Sequence, residues 1–472
     1  MCYMLIGGRK AFKDGLILGG HNDDLCGSEA SQIKVIPHGF YRKGDTLVLP
    51  TGPRIPVTRD TARCLLLKMY VGDNAGDAVA INEHNVSLVG GEDLLCDRND
   101  LAEQLDPLVP DGCGGGNRIA ALLQSSTARE CISLIGRYYT EYGNCYTCSI
   151  GISDENESWY MESGGGSTWI AVRVPDDCYL VQSNGYRISE VDLDDADNVI
   201  HSPHLKEFLT EKGIWKPSDG PFRWAKTFGG KFRENPETYY YNSRRLWSAI
   251  QLLTPSAAMS PDEEAYPLFL KPDRPIDRQM VMRVLRYTNA DNEFDAFPVG
   301  GGVSEYRPIA VPSCIHSSVV ELRPGKPADF GAVLWACVGS QLAAPYVPHY
   351  FGAKEFSREY LNEASDCTNA SAFWRMRKLM NLVMLDFRKY APEIQEKWRE
   401  YEAEAFAGKE AADQYVEKLY KKQPEEAGKY LTDFVKLMEE KALKTAEELE
   451  NYLHHKISEN LFTYFAKGKI PY

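Results

Sequence analysis

Residues 2–24 read CYMLIGGRKAFKDGLILGGHNDD. An apolar run from Tyr3 to Ile6 meets Gly7 and Gly8, a polar turn containing Asp14-Gly15 follows, and a second apolar run covers Leu16 to Leu18. Two apolar runs around a glycine-containing polar turn predict a β-hairpin. Antiparallel pairing then brings Cys2, at the start of the first strand, beside His21, Asn22, Asp23 and Asp24 at the end of the second. Removal of Met1 would give Cys2 a thiol and a free α-amine in one residue. Their ordinary pKa values, about 8.5 and about 7.7–8.0, let both work near neutral pH. A thiol activated by a terminal amine is a known route to amide cleavage. The competing reading is an acidic turn after a strand, and the adjacency to Cys2 favours a site.

Outward from this hairpin, residues 1–100 read as β-rich, with a strand from Leu65 to Val71 and two more around the turn Glu83-His84-Asn85. Residues 117–142 carry Ile119, Leu122, Leu123, Cys131, Leu134 and Ile135 at helical spacing. Strands return over 145–188. A helix is expected at 202, with Ser202 as cap, Pro203 in the first turn and Gly213 at the end. Helices are also expected over 239–253 and 275–288, and two strong strands over 313–339. From about 371 to 466 the chain is rich in Glu, Lys, Ala and Leu, and two to four helices are expected. Runs of strands and runs of helices, rather than strict alternation, indicate an α+β fold.

A chain of 472 residues with 43% apolar and 25% charged residues has the composition of a soluble globular protein of one to three domains. The net charge of −14 argues against nucleic acid as a partner, since binding it demands basic patches. No apolar run approaches a membrane span, and charge and glycine interrupt the first 25 residues where a signal peptide would stand. Twelve cysteines without a leader then read as mostly reduced thiols in a cytoplasmic protein.

Other motifs carry less. Cys145 and Cys148 form a C-x-x-C with no second pair, inside a strand pattern. His201 with His204, and His454 with His455, are not credible metal pairs, so no metal site is expected. The glycine clusters at 114, 164 and 300 lack a Walker lysine or the context of a dinucleotide fingerprint, and no G-x-S-x-G elbow is present.

Read together, Cys2, HNDD (21–24), NEHNV (82–86), GGED (90–93), WIAVRVPDDCYLVQSNGYRI (169–188), NSRRLW (242–247), IHSSVVELRP (315–324) and GAVLWACVG (331–339) resemble the C69 cysteine dipeptidases of the N-terminal nucleophile hydrolases. The resemblance covers roughly residues 2–350. It implies an αββα sandwich over 1–370, with 371–472 as a helical extension packed on it. It implies Cys2 as nucleophile, Asp24 holding the terminal amine, Asn184 near the oxyanion, and Arg244 as a buried arginine near the nucleophile. Arg245 takes that last place if the register slips by one. Related acylases carry arginine where this chain has His21, and an asparagine donor where it has Glu92. An ionised carboxylate cannot donate, so Glu92 is expected instead to bind the free ammonium of a dipeptide. The implied reaction is dipeptide hydrolysis through a thioester, needing no cofactor, with short peptides as partners and the helical tail able to build an oligomer. Hydrolysis of N-acyl amides, as by bile-salt hydrolases and penicillin acylases, and a non-catalytic secernin-like role are the alternatives.

Overall fold

The computed structural model describes residues 2–71, 74–298, 304, 306–363 and 365–466. Fourteen strands build two sheets: β1 (Tyr3–Gly7), β2 (Ile17–Asp24), β3 (Ser31–Ile36), β4 (Cys64–Val71), β5 (Asn74–Asn82), β6 (Ser87–Asp93), β7 (Cys148–Ser153), β8 (Ser158–Ser163), β9 (Trp169–Arg173), β10 (Tyr179–Gln182), β11 (Val199–His201), β12 (Cys314–Leu322), β13 (Ala332–Val338) and β14 (Val347–Tyr350). One sheet runs β10-β1-β2-β12-β13-β14 and the other β11-β9-β8-β7-β6-β5-β4-β3. Their strand pairings are antiparallel, as hairpin-rich sequence requires. The expected hairpin is β1–β2, in the register Tyr3 opposite Asn22 and Met4 opposite His21.

The sheets face each other, with β1 and β2 against β6. Two glycines permit this approach: a Cβ on Gly19 would lie 2.7 Å from Val89, and one on Gly151 would lie 2.8 Å from the Met4 sulfur. Helices cover both outer faces. On the eight-stranded side lie α1 (Asn117–Leu122) and α2 (Ala128–Tyr142). On the other side lie α3 (Pro236–Leu253) and α4 (Arg278–Leu285). The layers are therefore αββα.

The tail forms α5 (Ala372–Val383), α6 (Phe387–Tyr420) and α7 (Pro424–Ala466). The last two run antiparallel, since Tyr415 meets Tyr430, Tyr401 bonds Met438 and Lys456 pairs with Glu393. Along α6, Ile394, Trp398, Tyr401, Ala405, Ala412 and Val416 are buried at helical spacing. They belong to the same apolar cluster as Tyr3 and Leu5 of the hairpin. Ile394 and Val416 each contribute about 1.5–3 kcal/mol on burial.

Two expectations are corrected. The helix expected at 202 begins at Leu205 and ends before Gly213, which has φ +68°. Ser202 stays extended because its N–H bonds Trp169 O and its neighbour His201 pairs with Ile170 in the sheet. The strand expected through Ile188 stops at Gln182, because residues 184–188 are drawn out of the sheet by buried carboxylates described below. Strands β3, β11 and β14 were not anticipated.

Charge fastens the tail. Lys409 of α6 is 1% exposed and pairs with the fully buried Glu321 of β12, and with Asp413 at 2.9 Å. Glu321 also meets Arg278 at 3.3 Å and Trp335 Nε1 at 3.0 Å, and its carboxyl is held down at about 2, burial being outweighed by Lys409 and Arg278. Lys409→Met would strip the main partner from a buried carboxylate, which costs about 3–5 kcal/mol. Urea unfolding should show a midpoint lowered to match.

Candidate active site

Side chains alternate across a strand, and β2 separates its terminal residues accordingly. Gly19 faces Val89 of the opposite sheet, whereas Gly20 faces Val281 of α4. His21 and Asp23 therefore point between the sheets, and Asn22 and Asp24 toward the helices. Asn22 Nδ2 donates to the carbonyls of Leu285 and Ile309 on that outer side. On β1, Met4 lies between the sheets and Tyr3 outside, its hydroxyl reaching Arg245 O at 3.4 Å. Cys2 continues the Met4 face, so its thiol looks inward.

The backbone of Cys2 is gripped by Arg245, which is wholly buried on α3. Its Nη1 donates to Cys2 O at 2.8 Å, and its Nη2 donates to Asn184 Oδ1 at 3.1 Å and Asn242 Oδ1 at 2.8 Å. Burial, aided by Arg307, lowers its pKa to about 9, so it stays charged at neutral pH. Asn184 Oδ1 accepts from Cys2 N at 3.1 Å, while Nδ2 donates to Asp93 O at 3.1 Å. Arg244, the residue first expected here, is not in this cluster. One residue turns a helix by about 100°, and Arg244 instead pairs with Asp262 at 2.6 Å among Tyr240, Phe294 and Tyr306.

The segment after β10 carries Asn184, and two buried acids hold it. Asp97 accepts from Tyr186 N at 2.9 Å and from Phe232 N at 2.9 Å. Glu162 accepts from Arg187 N at 2.7 Å, and burial raises its pKa to about 7.

Asp24 pairs with Arg307 at 2.7 Å. Burial raises the Asp24 pKa and Arg307 opposes this; burial works against the Arg307 charge too, yet Asp24 leaves that pKa raised. Tyr241 Oη lies 3.4 Å from Arg307 and lines a cavity of about 580 Å3 together with Tyr240, Arg244 and Tyr306.

On the thiol side, Cys2 Sγ lies 3.4 Å from Asp23 Oδ1. His316, inward-facing on β12 opposite Asp23, sets Nε2 3.8 Å from Asp23 Oδ2, and its Nδ1 is 2.9 Å from Ser31 Oγ. The His21 ring is 6.1 Å from that of His316. Glu92 occupies β6 opposite Ser149, and its side chain lies outside the described residues. Among the described residues, no three His, Cys, Asp or Glu side chains gather as a metal site, and no helix is long and apolar enough to cross a membrane.

Sequence reading missed Arg307 and His316. Arg307 comes from a loop without pattern. His316 lay within a recognised strand, whose period of two could have shown that it faces inward with Ser318.

The family model for peptidase family C69 matches residues 1–400, and the chain belongs to that family as a peptidase. A probable dipeptidase of Latilactobacillus sakei is 27% identical over 389 residues, 81% of this chain and 80% of that protein. A probable dipeptidase B of Streptococcus pyogenes serotype M1 is 25% identical, covering 90% and 87% of the two chains. Among solved structures, a mutant conjugated bile acid hydrolase from Clostridium perfringens aligns over 72% of this chain and 89% of its own, at 14% identity and a TM-score of 0.32.

Two outcomes are expected. Arg245→Met removes the donor to Cys2 O and should lower kcat/KM by about 100-fold or more, a loss in the range of a charged hydrogen bond, whereas Arg244→Met should cost less than about tenfold. Steady-state rates of the two variants decide this. Burial sets the His316 pKa at about 4 against 6.5, with Asp23 opposing and His21 adding to the shift. The unfolded chain then takes up this proton first as pH falls, so stability present above 6.5 is lost down to 4. His316→Gln should shrink the difference in unfolding free energy between pH 7 and pH 4 by up to about 3 kcal/mol.

Proposed function

We propose that this protein is a cytoplasmic dipeptidase that hydrolyses unblocked dipeptides with Cys2, exposed by removal of Met1, as the nucleophile. The observation that carries the reading is the double tether of Cys2, its carbonyl held by Arg245 and its nitrogen by Asn184, with the thiol turned the other way. Membership of peptidase family C69 and relatives named as probable dipeptidases support it.

The thiol attacks the carbonyl of the peptide bond, and its proton passes to the Cys2 α-amine. Asn184, through the amide hydrogen not given to Asp93, and a backbone N–H stabilise the oxyanion. Such a donor is typically worth about 2.7–4 kcal/mol. Collapse breaks the C–N bond, and the α-amine returns its proton to the departing amino acid. Water then attacks the thioester, releasing the first amino acid and the thiol. Asp24, charge-balanced by Arg307, holds the α-amine in place. His21 and Glu92 contact the substrate.

The deciding experiment follows amino-acid release from a panel of unblocked dipeptides, with the N-terminus checked by intact mass. Release that disappears in Cys2→Ala is expected. A preparation lacking Met1 that releases nothing from dipeptides, yet cleaves N-acyl amides, would overturn the reading.

A further inference from the structure

Three buried carboxylates lie on or beside the segments that hold Cys2, and they differ in how their charge is balanced. Asp24 faces the helices and is closed off by Arg307. Asp97 spends its oxygens on the backbone N–H groups of Tyr186, Gly230 and Phe232. Asp23 is different. It is 4% exposed, it points between the sheets, and its Oδ1 lies 3.4 Å from the thiol sulfur. The one base at ion-pair range among the described residues is His316, 3.8 Å away, which burial holds neutral at ordinary pH. The arginines nearest Cys2 are committed elsewhere, Arg245 to Cys2 O, Asn184 and Asn242, and Arg307 to Asp24. His21 shares the face two residues away along the same strand.

A buried carboxylate without a cation is costly, and such a group is normally paired. A cation brought by the substrate removes that cost at the moment of binding. The geometry specifies where it would sit. In a near-attack complex the carbonyl carbon lies about 3–3.5 Å from the nucleophile. The α-nitrogen of the same residue is two bonds, about 2.5 Å, from that carbon. An ammonium there falls within charge-assisted hydrogen-bond reach, about 2.7–2.9 Å, of an oxygen adjacent to the sulfur.

We propose that Asp23 is the anion that receives the free α-ammonium group of the substrate's first residue, and that it thereby restricts the site to unblocked peptides. This deepens the dipeptidase reading and rests on Cys2 being its nucleophile. It moves to Asp23 the role that sequence alone assigned to Glu92. His316, neutral and tied to Ser31, backs the carboxylate without cancelling its charge.

The test compares Ala-Leu with propionyl-Leu, which differ only in the α-amino group. Wild-type enzyme should prefer Ala-Leu by at least about 100-fold in kcat/KM, mostly through KM. In Asp23→Asn that ratio should collapse to within about threefold, with Cys2 still alkylated by iodoacetamide. Asp23→Ser serves in the same way if the asparagine variant does not fold. Four outcomes overturn the assignment: a wild-type enzyme indifferent to the amino group, a preserved ratio in the Asp23 variants, an equal loss on both substrates, or a collapse produced by Glu92→Gln with Asp23→Asn unchanged. Wild-type enzyme with a free, alkylatable Cys2 that cleaves neither substrate nor any other dipeptide sinks the dipeptidase reading itself, and the assignment with it.

Discussion

Everything at this site hangs on a buried guanidinium. Arg245 ties the carbonyl of Cys2 to the side chains of Asn184 and Asn242, and so joins the first strand, the segment after β10 and helix α3. Without it the first residues of β1 would be a strand end, the kind of chain that frays. With it, Cys2 has a defined orientation: main chain toward the helices, sulfur toward the gap between the sheets. Arginine suits this task because its planar fork presents several donors in fixed geometry and keeps its charge when buried.

That orientation divides the polar residues of one short strand into two groups with separate work. Asn22 and Asp24 face outward, one bonding helix and loop carbonyls and the other pairing with an arginine. His21 and Asp23 face the gap between the sheets, on the side of the Cys2 thiol. The glycines before them make this possible, since Gly19 and Gly20 let the opposite sheet and α4 close on the strand from either side.

Much of this was legible in the sequence. Apolar runs and turn residues gave the hairpin, most strands of both sheets and the helical tail, because those signals are local. Motifs in order gave Cys2, Asn184 and the neighbourhood of the arginine. The choice between Arg244 and Arg245 was not legible, since adjacent helical residues differ only in direction and the direction depends on how α3 lies on the sheet. Arg307 and the acids Asp97 and Glu162 were hidden for another reason. Each acts across more than twenty residues of sequence on a partner that no local pattern announces. Strand β14 escaped because Pro348 and His349 interrupt its apolar character, though the edge position tolerates the proline.

The lysine of α6 has a consequence for how this chain can vary in length. Glu321 lies on β12, the strand that also presents His316 toward the thiol. A shortened chain lacking α6 would strand that carboxylate inside an apolar layer beside Trp335, with Arg278 as its remaining counter-ion. Helix α6 and strand β12 thus form the two halves of an electrostatic clasp, one carrying Lys409 and the other Glu321.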